Sequence, residues 1–128
     1  MRCFIAVELD ESLKPKIAEL QNQIRNYDVK LVEEENLHFT LKFLGDTDDV
    51  SLTKVKEKLA NVAGSTKPFE ITLKGITLYP TEKYVRVVFA DTADDRLFDL
   101  HAAVNEALAG LFKKEKVRPH LTLARARS

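Results

Sequence analysis

Tryptophan is absent from this 128-residue sequence, cysteine occurs once, and glycine and proline occur four times each. One thiol can neither close an internal disulfide nor build a thiolate metal cluster, so an intracellular, cytoplasmic protein is the expectation. The four glycines form no phosphate-cradling loop, which disfavours ATP-driven chemistry of the nucleotide-loop kind. No run of about 18 apolar residues is present to span a membrane. Glu8 also interrupts the amino-terminal apolar stretch where a signal peptide would need to continue. An excess of charge is missing as well, because 20 Lys and Arg face 20 Asp and Glu. Proteins that grip long nucleic acid draw most of that affinity from a basic excess. A neutral chain that handles nucleic acid is expected to take an end or a small piece.

What is present suits one folded unit over residues 1–128. The hydrophobic fraction is 45%, and a chain of this length buries roughly two-thirds of its unfolded surface. Short apolar runs alternate with amphipathic stretches. Cys3 to Leu9 reads as a strand, and Asp10 to Asn26 as a helix with Leu13, Ile17, Leu20 and Ile24 on one face. Val29 to Val32 and Leu37 to Leu44 read as strands, and Val50 to Val62 as a helix stopped at Gly64. Pro68 to Leu78 alternates like a strand, with Gly75 marking a bulge, and Tyr84 to Ala90 returns antiparallel to it. A helix from Thr92 to about Phe112 and a strand from Val117 to Ala124 complete the pattern.

Within this order lies an internal echo. A strand and a helix lead to His38-Phe39-Thr40-Leu41, and a second strand and helix lead to His120-Leu121-Thr122-Leu123, 82 positions later. Side chains alternate along a strand, so each motif offers an imidazole and a hydroxyl on one face, backed by apolar residues on the other. Two histidines and two threonines meeting in one cleft suit phosphoester chemistry without a metal. One neutral imidazole takes a proton from the attacking oxygen, and the other, protonated, donates to the leaving oxygen. The hydroxyls donate to the non-bridging oxygens, where charge accumulates.

His38 to Gly45 (HFTLKFLG) and Arg118 to Arg125 (RPHLTLAR) resemble the two signature motifs of the two-histidine phosphoesterases. Within that superfamily, Arg2 to Val7 is similar to the start of the LigT-like RNA 2′,3′-cyclic phosphodiesterases, also called 2′-5′ RNA ligases. The resemblance implies an α+β, bilobal fold, with two similar antiparallel-sheet-plus-helix lobes around a central cleft. It implies hydrolysis of RNA 2′,3′-cyclic phosphate ends, or of nucleotides carrying that group, to 2′-phosphates, with no metal and no cofactor. Carried over, His38 is the proton donor to the departing 3′ oxygen and His120 the base that activates water, with Thr40 and Thr122 holding the phosphate. Lys42 shares the strand parity of His38 and Thr40 and is a further candidate for phosphate binding. Arg125 matches a phosphate-contacting arginine of the second motif, although its parity opposes that of His120. Two alternatives accompany this reading: 2′-5′ RNA ligation, and an RNA-end or nucleotide-binding module with little turnover.

The sequence departs from the family in stopping five residues after Leu123. The second lobe is therefore expected to be shortened, with either an exposed edge beside the second motif that pairs into a homodimer or a more minimal lobe. The remaining polar features have plainer readings. Glu33-Glu34-Glu35 reads as a solvated turn, Lys113 to Lys116 as a solvated helix end, Cys3 as core and His101 as a surface or packing residue.

Overall fold

The computed structural model describes residues 1–92, 95–114 and 119–127. The order of elements is β1 (Arg2–Glu8), α1 (Lys14–Gln23), β2 (Val29–Leu31), β3 (His38–Asp46), α2 (Asp49–Gly64), β4 (Leu73–Pro80), β5 (Val85–Thr92), α3 (Asp95–Ala107) and β6 (His120–Ala126). This is an α+β fold of antiparallel strands and amphipathic helices. The chain interleaves two compact units. Unit one takes residues 1–6, 40–71 and 94–119; unit two takes residues 7–39, 72–93 and 120–128.

Unit two is a helix on a sheet. In it β5 lies between β4 and β6, and β2 pairs with β6 on the far side, all antiparallel. The helical spacing read from the sequence sends Ile17, Leu20 and Ile24 of α1 inward, each almost fully buried, against β6 and β4. Pro15 is tolerated because it sits in the first turn, where its missing N–H has no partner to lose. The expected single helix from Asp10 begins instead as a 3-10 turn over Glu11–Leu13. The triple-glutamate segment forms a second 3-10 turn, Glu34–Asn36. There Glu34 pairs with Lys14 at 2.9 Å. Glu11, and then Glu34, bonded to that ammonium hold the pKa of Lys14 above its usual value.

Gly75 does mark a register shift between β4 and β5. The strand expected from Pro68, however, starts only at Leu73. Residues 68–71 belong to unit one, where the Phe69 ring lies under the Arg96 guanidinium at 5.5 Å. That apolar side chain is spent on a cation–π contact with α3 and not on the sheet.

Unit one packs α2 against α3, and β1 lies beside β3. Its core is built on Val55 of α2 and on Leu97 and Val104 of α3, followed by Leu108. The Asp48 carboxylate caps α2 by accepting the Ser51 N–H at 2.7 Å, which holds its pKa below the usual aspartate value. The third helix ends at Ala107, before the expected Phe112, and continues as turns through residue 112. Of the expected solvated helix end, Lys113 and Lys114 are exposed, while 115 and 116 lie outside the described residues. No helix among the described residues is long and apolar enough to cross a membrane.

Candidate active site

The second motif opens β6, and its geometry departs from simple alternation in one informative way. Val87 and Phe89 are two apart on β5 and share a face. Their partners on β6 are Arg125 and Thr122, which are three apart. One extra residue is therefore accommodated in β6, a β-bulge at Leu123–Ala124, and both of those side chains are fully buried. The bulge reverses the parity beyond it. Arg125, which strict alternation sets opposite His120, is exposed on the face shared by Thr122 and Phe89. His120 lies on that face too, with its ring centroid 4.1 Å from that of Phe89. Tyr79 of β4 continues the row, 5.9 Å from Phe89 and largely exposed.

The carbonyl at the bulge is held from two sides. Leu123 O accepts the Val32 N–H at 2.8 Å and the Gln21 side-chain amide of α1 at 3.1 Å. The same amide nitrogen also donates to Val32 O at 3.0 Å. Along Ala124–Ala126 the other side of β6 is covered by β2, with Lys30 opposite Arg125. The free edge expected beside the second motif is therefore closed over this stretch by the chain itself. The basis for a dimer through that edge is removed.

The first motif opens β3 and repeats the burial pattern of the second. His38 and Thr40 are half-buried, Phe39, Leu41 and Lys42 are buried, and Phe43 is exposed. His120 to Arg125 gives the same sequence of half-buried, buried, half-buried, buried, buried and exposed positions. His38 belongs to unit two together with His120, Thr122 and Arg125, whereas Thr40 and Lys42 fall in unit one.

Lys42 needs a correction. Parity groups it with His38 and Thr40, but the two consecutive buried positions at Leu41 and Lys42 shift it inward, to 1% exposure. Its ammonium donates to Asn105 Oδ1 at 2.8 Å and to the Lys113 carbonyl, both in unit one. Asn105 Nδ2 is 3.2 Å from Nε2 of His101, one helical turn earlier on α3. His101 is thus a packing residue, buried in a polar chain that the sequence did not reveal. A charge this deep is tolerated because acceptors surround it.

Among the described residues no cluster of three or more His, Cys, Asp or Glu is arranged to hold a metal ion. Cys3 is half-buried in β1. Unit two also has a surface cavity of about 320 Å³, lined by Tyr27, Tyr84 and Arg86 among others. It contains none of the motif residues, and its Val29 and Ala126 form a pair on the sheet face opposite Arg125.

One face of β6 thus carries a histidine, a threonine and an arginine, with the tilted Phe89 ring against the imidazole. Comparison with known proteins gives the family. Residues 7–89 match the family model described as LigT like Phosphoesterase. The chain is 40% identical to the RNA 2′,3′-cyclic phosphodiesterase of Methanocaldococcus jannaschii, over 99% of this chain and 72% of that protein. The crystal structure of TT0787 of Thermus thermophilus superposes with a TM-score of 0.89 at 28% identity, covering all of this chain and 75% of that one. Escherichia coli LigT complexed with 3′-AMP superposes with a TM-score of 0.71 at 25% identity, over 99% of this chain and 72% of that one. The chain belongs to the LigT-like phosphoesterase family.

Proposed function

We propose that this chain hydrolyses RNA 2′,3′-cyclic phosphate ends to 2′-phosphates by paired histidine acid–base catalysis. The observation that carries the reading is one face of β6. It presents His120, Thr122 and Arg125 together, in a chain whose relative in Methanocaldococcus bears the name RNA 2′,3′-cyclic phosphodiesterase. The nucleotide bound to Escherichia coli LigT supports a nucleotide-like ligand. In this mechanism His120 takes a proton from water as its oxygen bonds to phosphorus. The bond from phosphorus to the 3′ oxygen breaks, and His38 gives its proton to that oxygen. Thr40 and Thr122 donate to the non-bridging oxygens, and Arg125 balances their charge. Assignment of His38 as acid and His120 as base follows the family resemblance.

The test is incubation with an RNA ending in a 2′,3′-cyclic phosphate, in buffer containing EDTA, with product position read by phosphorus NMR. A 2′-phosphate is expected. His38→Ala and His120→Ala should each lower turnover at least about 100-fold, the usual scale for a positioned acid or base. Near-wild-type hydrolysis by either variant, or loss on chelation restored by a divalent ion, would overturn the mechanism. Adding a second RNA with a 5′-hydroxyl separates hydrolysis from joining.

A further inference from the structure

Lys30 stands directly opposite Arg125 in the pairing of β2 with β6. Both side chains are exposed. Residues directly opposite on antiparallel strands have Cβ atoms about 5 Å apart, and like charges placed so are destabilising. Arg127 adds a third cation two residues beyond Arg125. Among the described residues, the acidic group paired with this cluster is Asp28, 3.9 Å from Arg127. Arg127 also donates from Nε to the Val29 carbonyl at 3.2 Å. Lys30 and Arg125 therefore make a repulsive pair on the face that carries His120 and Thr122. A local rule broken without compensation inside the protein marks a place where a ligand supplies it.

The bulge in β6 makes this pair possible. Without it Arg125 would turn to the other face of the sheet, away from Lys30 and the second motif. With it, positive charge runs across two adjacent strands, which lie about 4.8 Å apart. Arg125 is the nearer of the two to Thr122 along β6, and Lys30 is one strand further out. A single cyclic phosphate held at His120 and Thr122 needs only the nearer cation. The outer one is placed for a second anion on the same molecule.

Building on the proposed hydrolysis, we propose that Lys30 with Arg125 forms a second phosphate subsite. It takes the phosphodiester on the 5′ side of the terminal nucleotide, so the protein favours an RNA chain over a cyclic mononucleotide. Lys30 is a binding residue here and takes no part in proton transfer.

Two substrates and two readouts test this. Hydrolysis of a 2′,3′-cyclic mononucleotide is compared with that of a trinucleotide ending in the same nucleotide, for wild type, Lys30→Ala and Lys30→Arg. Lys30→Ala should lower kcat/KM on the trinucleotide about 10-fold, the scale of one charge-assisted contact, chiefly through KM. The mononucleotide should be unaffected, and Lys30→Arg should restore the trinucleotide value. Equal loss on both substrates, or loss on neither, overturns the subsite. Binding of the same trinucleotide carrying a 2′-phosphate, followed by fluorescence anisotropy, separates this proposal from the one beneath it. Wild type that binds the trinucleotide in a Lys30-dependent way but hydrolyses neither substrate overturns the hydrolase reading and leaves the subsite standing. Binding independent of Lys30 overturns the subsite whatever the turnover.

Discussion

The His120 imidazole packs against a ring, and that contact can be separated from its proposed chemistry. The imidazole and the Phe89 ring are 4.1 Å apart at 43°, a tilted contact worth about 0.5–1.5 kcal/mol in aromatic pairs generally. Replacing Phe89 by leucine keeps apolar bulk on β5 but removes the face on which the imidazole rests. On the proposed mechanism, the imidazole then samples orientations away from the attacking water. A Phe89→Leu variant should lose about 3- to 10-fold in kcat, the rate equivalent of that contact, with little change in thermal stability. Steady-state hydrolysis of a cyclic-phosphate RNA measures it. An unchanged kcat would show that the ring packs on His120 without positioning it. At this scale the sequence was a good guide to residue type and a weaker one to direction. The paired His-x-Thr motifs stood out by repetition. Phe89 carried no signal, because an aromatic residue in a strand is ordinary. Strict alternation misplaces Lys42, because Leu41 and Lys42 are both buried in β3.

Elements explain why that extension fails. Each motif strand has two consecutive buried positions, Leu41–Lys42 in β3 and Leu123–Ala124 in β6. Helical and strand periods fix an element's existence from its own residues, which is why all three helices and the antiparallel return of β5 on β4 were legible. A bulge in β6 depends on the partner strand and on what holds the displaced carbonyl, so one segment's period does not encode it. Gln21 is part of that hold, since its amide bonds Leu123 O and Val32 O from α1. Gln21→Leu should cost about 1 kcal/mol, a typical net hydrogen-bond value, because Val32 N–H still satisfies Leu123 O. By loosening the bulge it should also raise KM for RNA more than it lowers kcat, through Arg125. Urea unfolding and steady-state kinetics on one preparation check both parts.

The Lys42 tether gives a second test at this scale. Removing the ammonium in Lys42→Met leaves the Asn105 and Lys113 oxygens, both neutral, without that donor, whereas Asn105→Leu takes one acceptor from a buried charge. Asn105→Leu should therefore be the more damaging, about 3 kcal/mol against about 2. The reverse order in urea unfolding would mean that the ammonium reaches water by another route.

For the whole molecule the decisive property is the balance of 20 basic and 20 acidic side chains. Binding of single-stranded nucleic acid weakens with salt by a slope of about 0.7 in log affinity for each phosphate neutralised. A protein that tracks along RNA makes many such contacts and shows a steep slope. Here the exposed cations aligned with the second motif are Arg125 and Lys30, while Arg127 is drawn toward Asp28. Two neutralised phosphates give an expected slope of about −1.4 for a short RNA with a 2′-phosphate end, measured by anisotropy at constant pH between about 50 and 200 mM salt. Lys30→Ala should flatten it to about −0.7, and lengthening the RNA beyond three nucleotides should leave it unchanged. A slope of about −4 that grows with RNA length would require a basic track that a neutral surface reading overlooks, and end recognition would then give way to binding along the chain. With the shallow slope, affinity resides in one RNA terminus and two cations on adjacent strands. A molecule with no net charge can then discriminate an RNA end without being captured by the rest of the strand.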